Sequence, residues 1–152
     1  MSLNMAAACS RIRELVAEVT GMERVFAASE DGEHGIPMAL REFPAAIVFP
    51  GPDSANGYQH SSGWHRHTYE VQVHVYAGTA TTERIANVLP FVDRIIEQFA
   101  QNVTLGSRVN SCRYLRQSGL AVLGGFGGVE YTGYEITLEV SEESEAATGA
   151  GS

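Results

Sequence analysis

Tyr69-Glu-Val-Gln-Val-His-Val-Tyr76 decides how this chain is read. Apolar and polar residues alternate through it, the mark of a strand with one face on a core. Tyr69, Val71, Val73 and Val75 point one way; Glu70, Gln72, His74 and Tyr76 point the other. After the short connection Ala77-Gly-Thr-Ala-Thr81, residues 82–100 place Ile85, Val88, Leu89, Val92, Ile95, Ile96 and Phe99 at helical spacing. A strand followed by an amphipathic helix is one layered unit, helix on sheet.

The rest of the chain builds outward from that unit. Ile12, Leu15, Val16 and Val19 share a face, which predicts an N-terminal helix from about Asn4 to a glycine cap at Gly21. Val25-Phe-Ala-Ala28 reads as a short strand, and residues 29–35 as a loop. Ala45 to Phe49 form an apolar run between Pro44 and Pro50, a brief strand with proline limits. Residues 51–63 are rich in Gly, Pro, Asp, Ser and Asn, so they form a long connection or the tip of a hairpin. Pro90 lies inside the second helix and costs about 3 kcal/mol there, which predicts a kink or two shorter helices meeting near Leu89. Residues 109–117 read as a strand, followed by an apolar stretch at 120–123 and a hairpin loop at Gly124-Gly-Phe-Gly-Gly128. Tyr134, Ile136, Leu138 and Val140 alternate with Glu135, Thr137 and Glu139 as a last strand. The expected fold is α+β: one domain over residues 1–140, a mainly antiparallel sheet with helices packed on one face, and protruding loops and hairpin. Residues 141–152 are small and acidic and are expected to be a disordered tail.

Composition bounds the function. The chain has 152 residues, enough for a real core, and is 44% hydrophobic. A formal net charge of -8 argues against binding free nucleic acid but suits a wall past which DNA slides. All 10 basic residues are arginine, which forms planar bidentate pairs suited to interfaces. Codon bias in a GC-rich genome accounts for the same preference. Cys9 and Cys112 are far apart and fit no metal or redox motif, so they read as reduced thiols. No signal peptide and no bilayer-spanning run is expected.

Few constellations point to chemistry. In His60-Ser-Ser-Gly-Trp-His65-Arg-His67, His65 and His67 share a side of an extended strand, and His60 or Asp53 would complete a metal site. Arg66 places positive charge between the two histidines, which disfavours a cation, so no metal is expected. The glycines around Phe126 lack the GK[ST] of a phosphate loop and are followed by strand-like residues. There is no GxSxG elbow, and Glu142 and Glu143 fall in the acidic tail, where a solvated role is expected. Tyr58 and Trp64 in the polar loop and Phe126 near the hairpin tip are the candidate partner contacts. For Trp64 the alternative is capping the core at the sheet's end; for Phe126 it is folding back onto its own sheet.

Four segments together carry a family resemblance: Phe43-Pro-Ala-Ala-Ile-Val-Phe-Pro50, His67-Thr-Tyr-Glu-Val-Gln-Val-His-Val-Tyr76, Val88-Leu-Pro-Phe-Val-Asp-Arg-Ile-Ile96 and Gly133-Tyr-Glu-Ile-Thr-Leu-Glu-Val140. Their order behind an N-terminal helix resembles the tail terminator, or tail completion, proteins of long-tailed bacteriophages and related phage-like particles, over residues 4–141. The resemblance implies a structural virion protein without catalytic residues, metal or cofactor, assembled in the bacterial cytoplasm. It implies a homo-oligomeric ring, commonly hexameric, at the head-proximal end of the tail tube. There the ring stops tube growth, joins the tail to the head connector or neck protein, and lets DNA pass without specific binding; no membrane partner is expected. Alternatives are another neck or head-completion protein of the same particle, a small metalloenzyme using the histidines, and a ligand-binding module with an apolar pocket under the second helix.

Overall fold

The computed structural model describes residues 3–51, 57–61, 63–79, 85–126 and 129–145. Among these residues two α-helices and six strands follow in the order α1 (Met5–Ala17), β1 (Arg24–Ala27), β2 (Ala45–Pro50), β3 (Gly57–Ser61), β4 (Trp64–Thr79), α2 (Ile85–Gln101), β5 (Ser111–Phe126) and β6 (Val129–Glu145), with a 3-10 turn at Gly32–His34 between β1 and β2. The strands form one sheet in the order β1-β2-β4-β6-β5, with β3 also paired to β4. Among the described residues β1 and β2 run parallel and the other pairings are antiparallel. The expected α+β architecture is therefore the observed one.

β4 and β6 are the spine. They pair from Trp64↔Glu145 to Thr79↔Tyr131, about 50 Å at strand spacing. On its other edge β4 carries β2 against Val71 to Tyr76 and β3 against Trp64 to Thr68. The alternation along β4 and β6 is the one the sequence dictates. Tyr69, Val71, Val73, Val75, Ile136, Leu138 and Val140 are fully buried, packed with Ile12, Leu15 and Val16 of α1 and Val92, Ile95 and Phe99 of α2. Each such side chain contributes about 1.5–3 kcal/mol relative to exposure.

A second, smaller cluster lies across the sheet, where Ile47, Tyr76 and Tyr131 meet Leu40 and Phe43 from the segment joining β1 to β2. The Tyr131 hydroxyl accepts the Leu40 N–H at 3.0 Å and pins that segment down. The β1–β2 end of the sheet is thus covered on both faces.

Asn4 caps α1, its side-chain oxygen accepting the Ala7 N–H at 3.0 Å. The helix stops at Ala17, short of Gly21, because its last turn tightens: the Val19 N–H donates to the Val16 carbonyl at 3.1 Å. Gly21 serves instead in the turn that follows, at φ 91°. α2 is one helix running through Pro90, not two. Its buried face is Phe91, Val92, Ile95 and Phe99, while Leu89, expected inside, is 49% exposed. The side chains of Ile85 and Val88 fall outside the described residues.

Three further expectations are narrowed or corrected. Residues 57–61 are a strand paired with β4, so of the two readings of residues 51–63 the hairpin one holds for the last part of the segment, where Gly63 has φ 96°. Gly124, Gly125 and Phe126 pair with Tyr131, Glu130 and Val129, so they belong to β5 rather than a loop. β6 continues to Glu145, past the expected boundary at residue 140; residues 146–152 lie outside the described residues. The extension holds because Ser141 to Glu145 pair with Thr68 to Trp64 of β4, a ladder that local composition does not reveal.

Candidate functional site

Outside the two clusters, the polar face of the sheet is built from the outward positions of β4, β5 and β6. Register sets Glu70 directly opposite Glu139, a like-charge pair that is unfavourable by itself. Two arginines of β5 offset it. Arg113 donates to Glu139 at 2.8 Å, and Arg116 reaches across β6 to Glu70 at 2.8 Å. Farther along, Gln72 donates to Glu135 at 3.2 Å. His74 Nε2 stands 3.3 Å from Glu135 Oε2 but off the line of a hydrogen bond. Burial lowers the His74 pKa, and the Glu135 carboxylate only partly opposes this. Thr137, at the centre of this face, is 1% exposed. The result is an interlocked charged plate.

The second region is the ribbon of β3, β4 and β6 around residues 57–61, 64–68 and 141–145. Glu142 turns inward under the start of α1 and is 1% exposed, contrary to the solvated role expected for it. Its Oε1 accepts the Asn4 N–H at 3.0 Å and its Oε2 accepts the Tyr69 hydroxyl at 2.6 Å. A carboxylate at a helix N-terminus is favoured by the dipole and by the free N–H groups there. Burial and then Glu142 push the Tyr69 pKa upward, so the phenol stays a donor. With both carboxylate oxygens engaged, this pair is a structural clasp rather than an acid–base couple. Cys9 and Cys112 are free and buried in the adjoining core, where burial raises the first to about 11 and the second to about 12.

Glu143 faces the other way and binds Arg66, while its N–H donates to Asn110 Oδ1 at 2.7 Å. Arg66 therefore does not stand between His65 and His67; it is on the opposite side of the strand, over Trp64 with 5.8 Å from guanidinium carbon to ring centroid. Trp64 is 38% exposed and belongs to neither core cluster, so it does not cap the core. Tyr58 is in β3 opposite His67, and Phe126 is the last paired residue of β5. The side chains of both fall outside the described residues, as does Asp53. The three candidate contacts are not brought together: Tyr58 and Trp64 sit on the β3–β4 hairpin, Phe126 at the tip of β5–β6.

Among the described residues, no group of three or more His, Cys, Asp or Glu side chains is arranged to hold a metal; that set omits the His60 side chain. A depression beside α2 is lined by Glu18, Val19, Thr20, Arg94, Glu97, Gln98 and Gln101, most of them polar. Sequence reading missed the exposed apolar loop, where Met38 is 87% and Ile36 48% exposed. The signal was present in Ile36-Pro-Met38, an apolar triplet between loop and strand. Among the described residues no helix is long and apolar enough to cross a membrane.

Comparison with protein-family models and with curated proteins found no match to this chain.

Proposed function

We propose that this chain is a tail terminator: a structural subunit that closes into a ring at the head-proximal end of a phage-type tail tube, halts its growth and presents a docking surface to the head connector. The observation that carries the reading is the β4–β6 spine, which runs beyond the helix-covered core into hairpins at two separate ends. One presents Trp64 with Arg66, the other ends at Phe126. A cyclic ring is built from heterologous contacts, in which one patch meets a different patch on the next copy, and separated projections supply unlike patches. The apolar loop at Ile36 and Met38 adds a third exposed contact surface.

The charged plate suits the lumen. A net charge of -8 repels DNA phosphates, and the Arg113 and Arg116 guanidiniums are already committed to Glu139 and Glu70. DNA would pass such a wall without sticking. No residue is assigned a catalytic role in this reading.

Tube assembly in the presence of the purified chain tests it. Electron microscopy should show tubes capped at one end by a ring, with growth stopped. Tubes of unchanged length and bare ends would overturn the proposal, and binding to the connector without tube capping would assign the chain to another part of the neck.

A further inference from the structure

Among the described residues, the large apolar side chains that stand out to solvent are Ile36, Met38, Trp64, Leu89 and Val103. All but Trp64 fall into two patches at opposite edges of the sheet. Ile36 and Met38 belong to the segment between β1 and β2, beside the β1 edge. A depression of about 330 Å³ there is lined by Phe26, Pro37, Ala39 and Leu40 with the charged residues Arg24, Glu33, Arg41 and Glu42. Leu89 and Val103 belong to the other side. α2 turns Arg94 and Gln98 toward α1 and its following turn, where they donate to the Thr20 and Leu15 carbonyls at 3.1 and 2.9 Å. By the helical period of about 3.6 residues, Leu89, Asp93 and Ile96 lie on the flank turned away from α1. The carbonyl of Val103, just past the end of α2, accepts the N–H of Cys112 in β5 at 2.6 Å, so this flank is at the β5 edge.

The arginines divide between the same two patches. Arg11, Arg24, Arg66, Arg113 and Arg116 are bound to carboxylates of their own chain, and Arg13 and Arg94 to backbone carbonyls. Among the described residues, Arg41 and Arg108 are exposed and their guanidiniums have no such partner. Arg41 lines the depression of the first patch together with Glu33. Arg108 closes the turn that carries Val103, its N–H donating to the Thr104 carbonyl at 2.9 Å. Asp93, on the second patch, is likewise exposed and without a cation of its own chain among the described residues.

We infer that, in the ring proposed above, these patches form the contact between neighbouring copies, an assignment that rests on the ring reading. The Leu89–Ile96–Val103 flank of one copy seats against the Ile36–Met38 loop of the next, with Asp93 meeting Arg41 and Arg108 meeting Glu33. A second copy fits because each patch carries a free cation and an exposed carboxylate for the other to pair with. The two patches are unlike and lie at opposite edges of one sheet, which is the arrangement a head-to-tail ring contact needs. Methionine and arginine around an apolar depression are the composition of an interface centre, and the depression offers a seat for the Leu89 side chain.

The test is sedimentation velocity of the full chain, with circular dichroism on every variant to show that the fold is kept. Arg41→Glu and Asp93→Arg should each weaken self-association at least about tenfold, and the chain carrying both should recover to within about threefold of the parent. Net charge alone would push the two single variants in opposite directions, since one adds negative charge to an acidic chain and the other removes it. Both side chains are exposed and unpaired within their own chain, so the swaps should leave the monomer folded. Leu89→Asp tests the apolar half of the contact and should weaken association by a similar factor. If the parent chain forms rings that the single swaps leave unchanged, or if the double swap restores nothing, this contact is overturned while the ring reading stands. A parent chain that forms no ring, alone or on a tail tube, overturns the ring reading and the contact with it.

Discussion

The Tyr69 hydroxyl donates to Glu142 at 2.6 Å across 73 residues of chain, and Glu142 in turn holds the N–H of Asn4, the capping residue of α1. Strand β4, the end of β6 and the first helix are thus joined at one buried carboxylate. Removing the donor with Tyr69→Phe should lower stability by about 1.5–3 kcal/mol, the range for a hydrogen bond to a charged group. Glu142→Ala should cost more, because it leaves two donors unpaired and opens a cavity. Urea unfolding followed by circular dichroism measures both; midpoints equal to the parent chain would show that the clasp contributes nothing.

Alkaline pH should unfold the protein early. Burial raises the Cys9 and Cys112 thiols from 9.0 to about 11 and about 12, while in the unfolded chain they titrate near 9.0. Their folded pKa values lie above the unfolded ones, so this stability is intact below pH 9 and is lost as pH rises toward 11 and 12. Each thiol contributes a slope of at most about 1.4 kcal/mol per pH unit in that window. Replacing both with Ala should flatten the stability profile above pH 9, and a slope unchanged by the double substitution would locate its origin elsewhere.

Mild acid should weaken the fold through a different group. His74 is half-buried between Phe49, at 5.0 Å between ring centroids, and Tyr76, and its pKa lies below 6.5. The unfolded chain therefore takes up a proton first as pH falls below 6.5. Stability contributed by the neutral ring is complete above that value and declines beneath it. His74→Gln should remove the decline, which thermal melts at pH 7.5 and pH 5.5 would display as a smaller difference in Tm than the parent chain shows.

Gly133 marks a very close backbone approach in the sheet. A Cβ placed there would overlap the Val75 carbonyl oxygen and lie 2.9 Å from the Tyr76 Cα. The register of β4 and β6 shifts beside it, between Tyr76 and Gly78. Gly133→Ala should cost at least about 3 kcal/mol or prevent folding, since the contact is with backbone that has no rotamer to adopt. Gly57→Ala, whose Cβ would meet only the Thr68 oxygen at 3.8 Å, should be within about 0.5 kcal/mol of the parent and serves as the control.

The elements with strict local periodicity were legible in the sequence, and those made by distant partners were not. Tyr69 to Val75 and Tyr134 to Val140 alternate without interruption, so their buried faces follow from composition. Leu89 and Phe91 could not be sorted this way, because an apolar stripe wider than the buried one leaves its edge residues ambiguous. Ser141 to Glu145 are polar throughout, and only the matching end of β4, more than 60 residues earlier, makes them a strand. Glu142 was misread for the same reason: its partners Tyr69 and Asn4 lie 73 and 138 residues away. The candidate contacts Tyr58 and Trp64 were read as loop residues, and placing them on one hairpin required the pairing of β3 with β4.

Self-association is the property on which the assembly account rests, and sedimentation velocity combined with electron-microscope class averages of the purified full chain measures it directly. The account predicts a concentration-dependent shift from monomer to a closed ring of about six copies, weakened by Trp64→Asp or Met38→Asp without loss of fold. A chain that stays monomeric up to millimolar concentration, and forms no ring on a tail tube either, would contradict it.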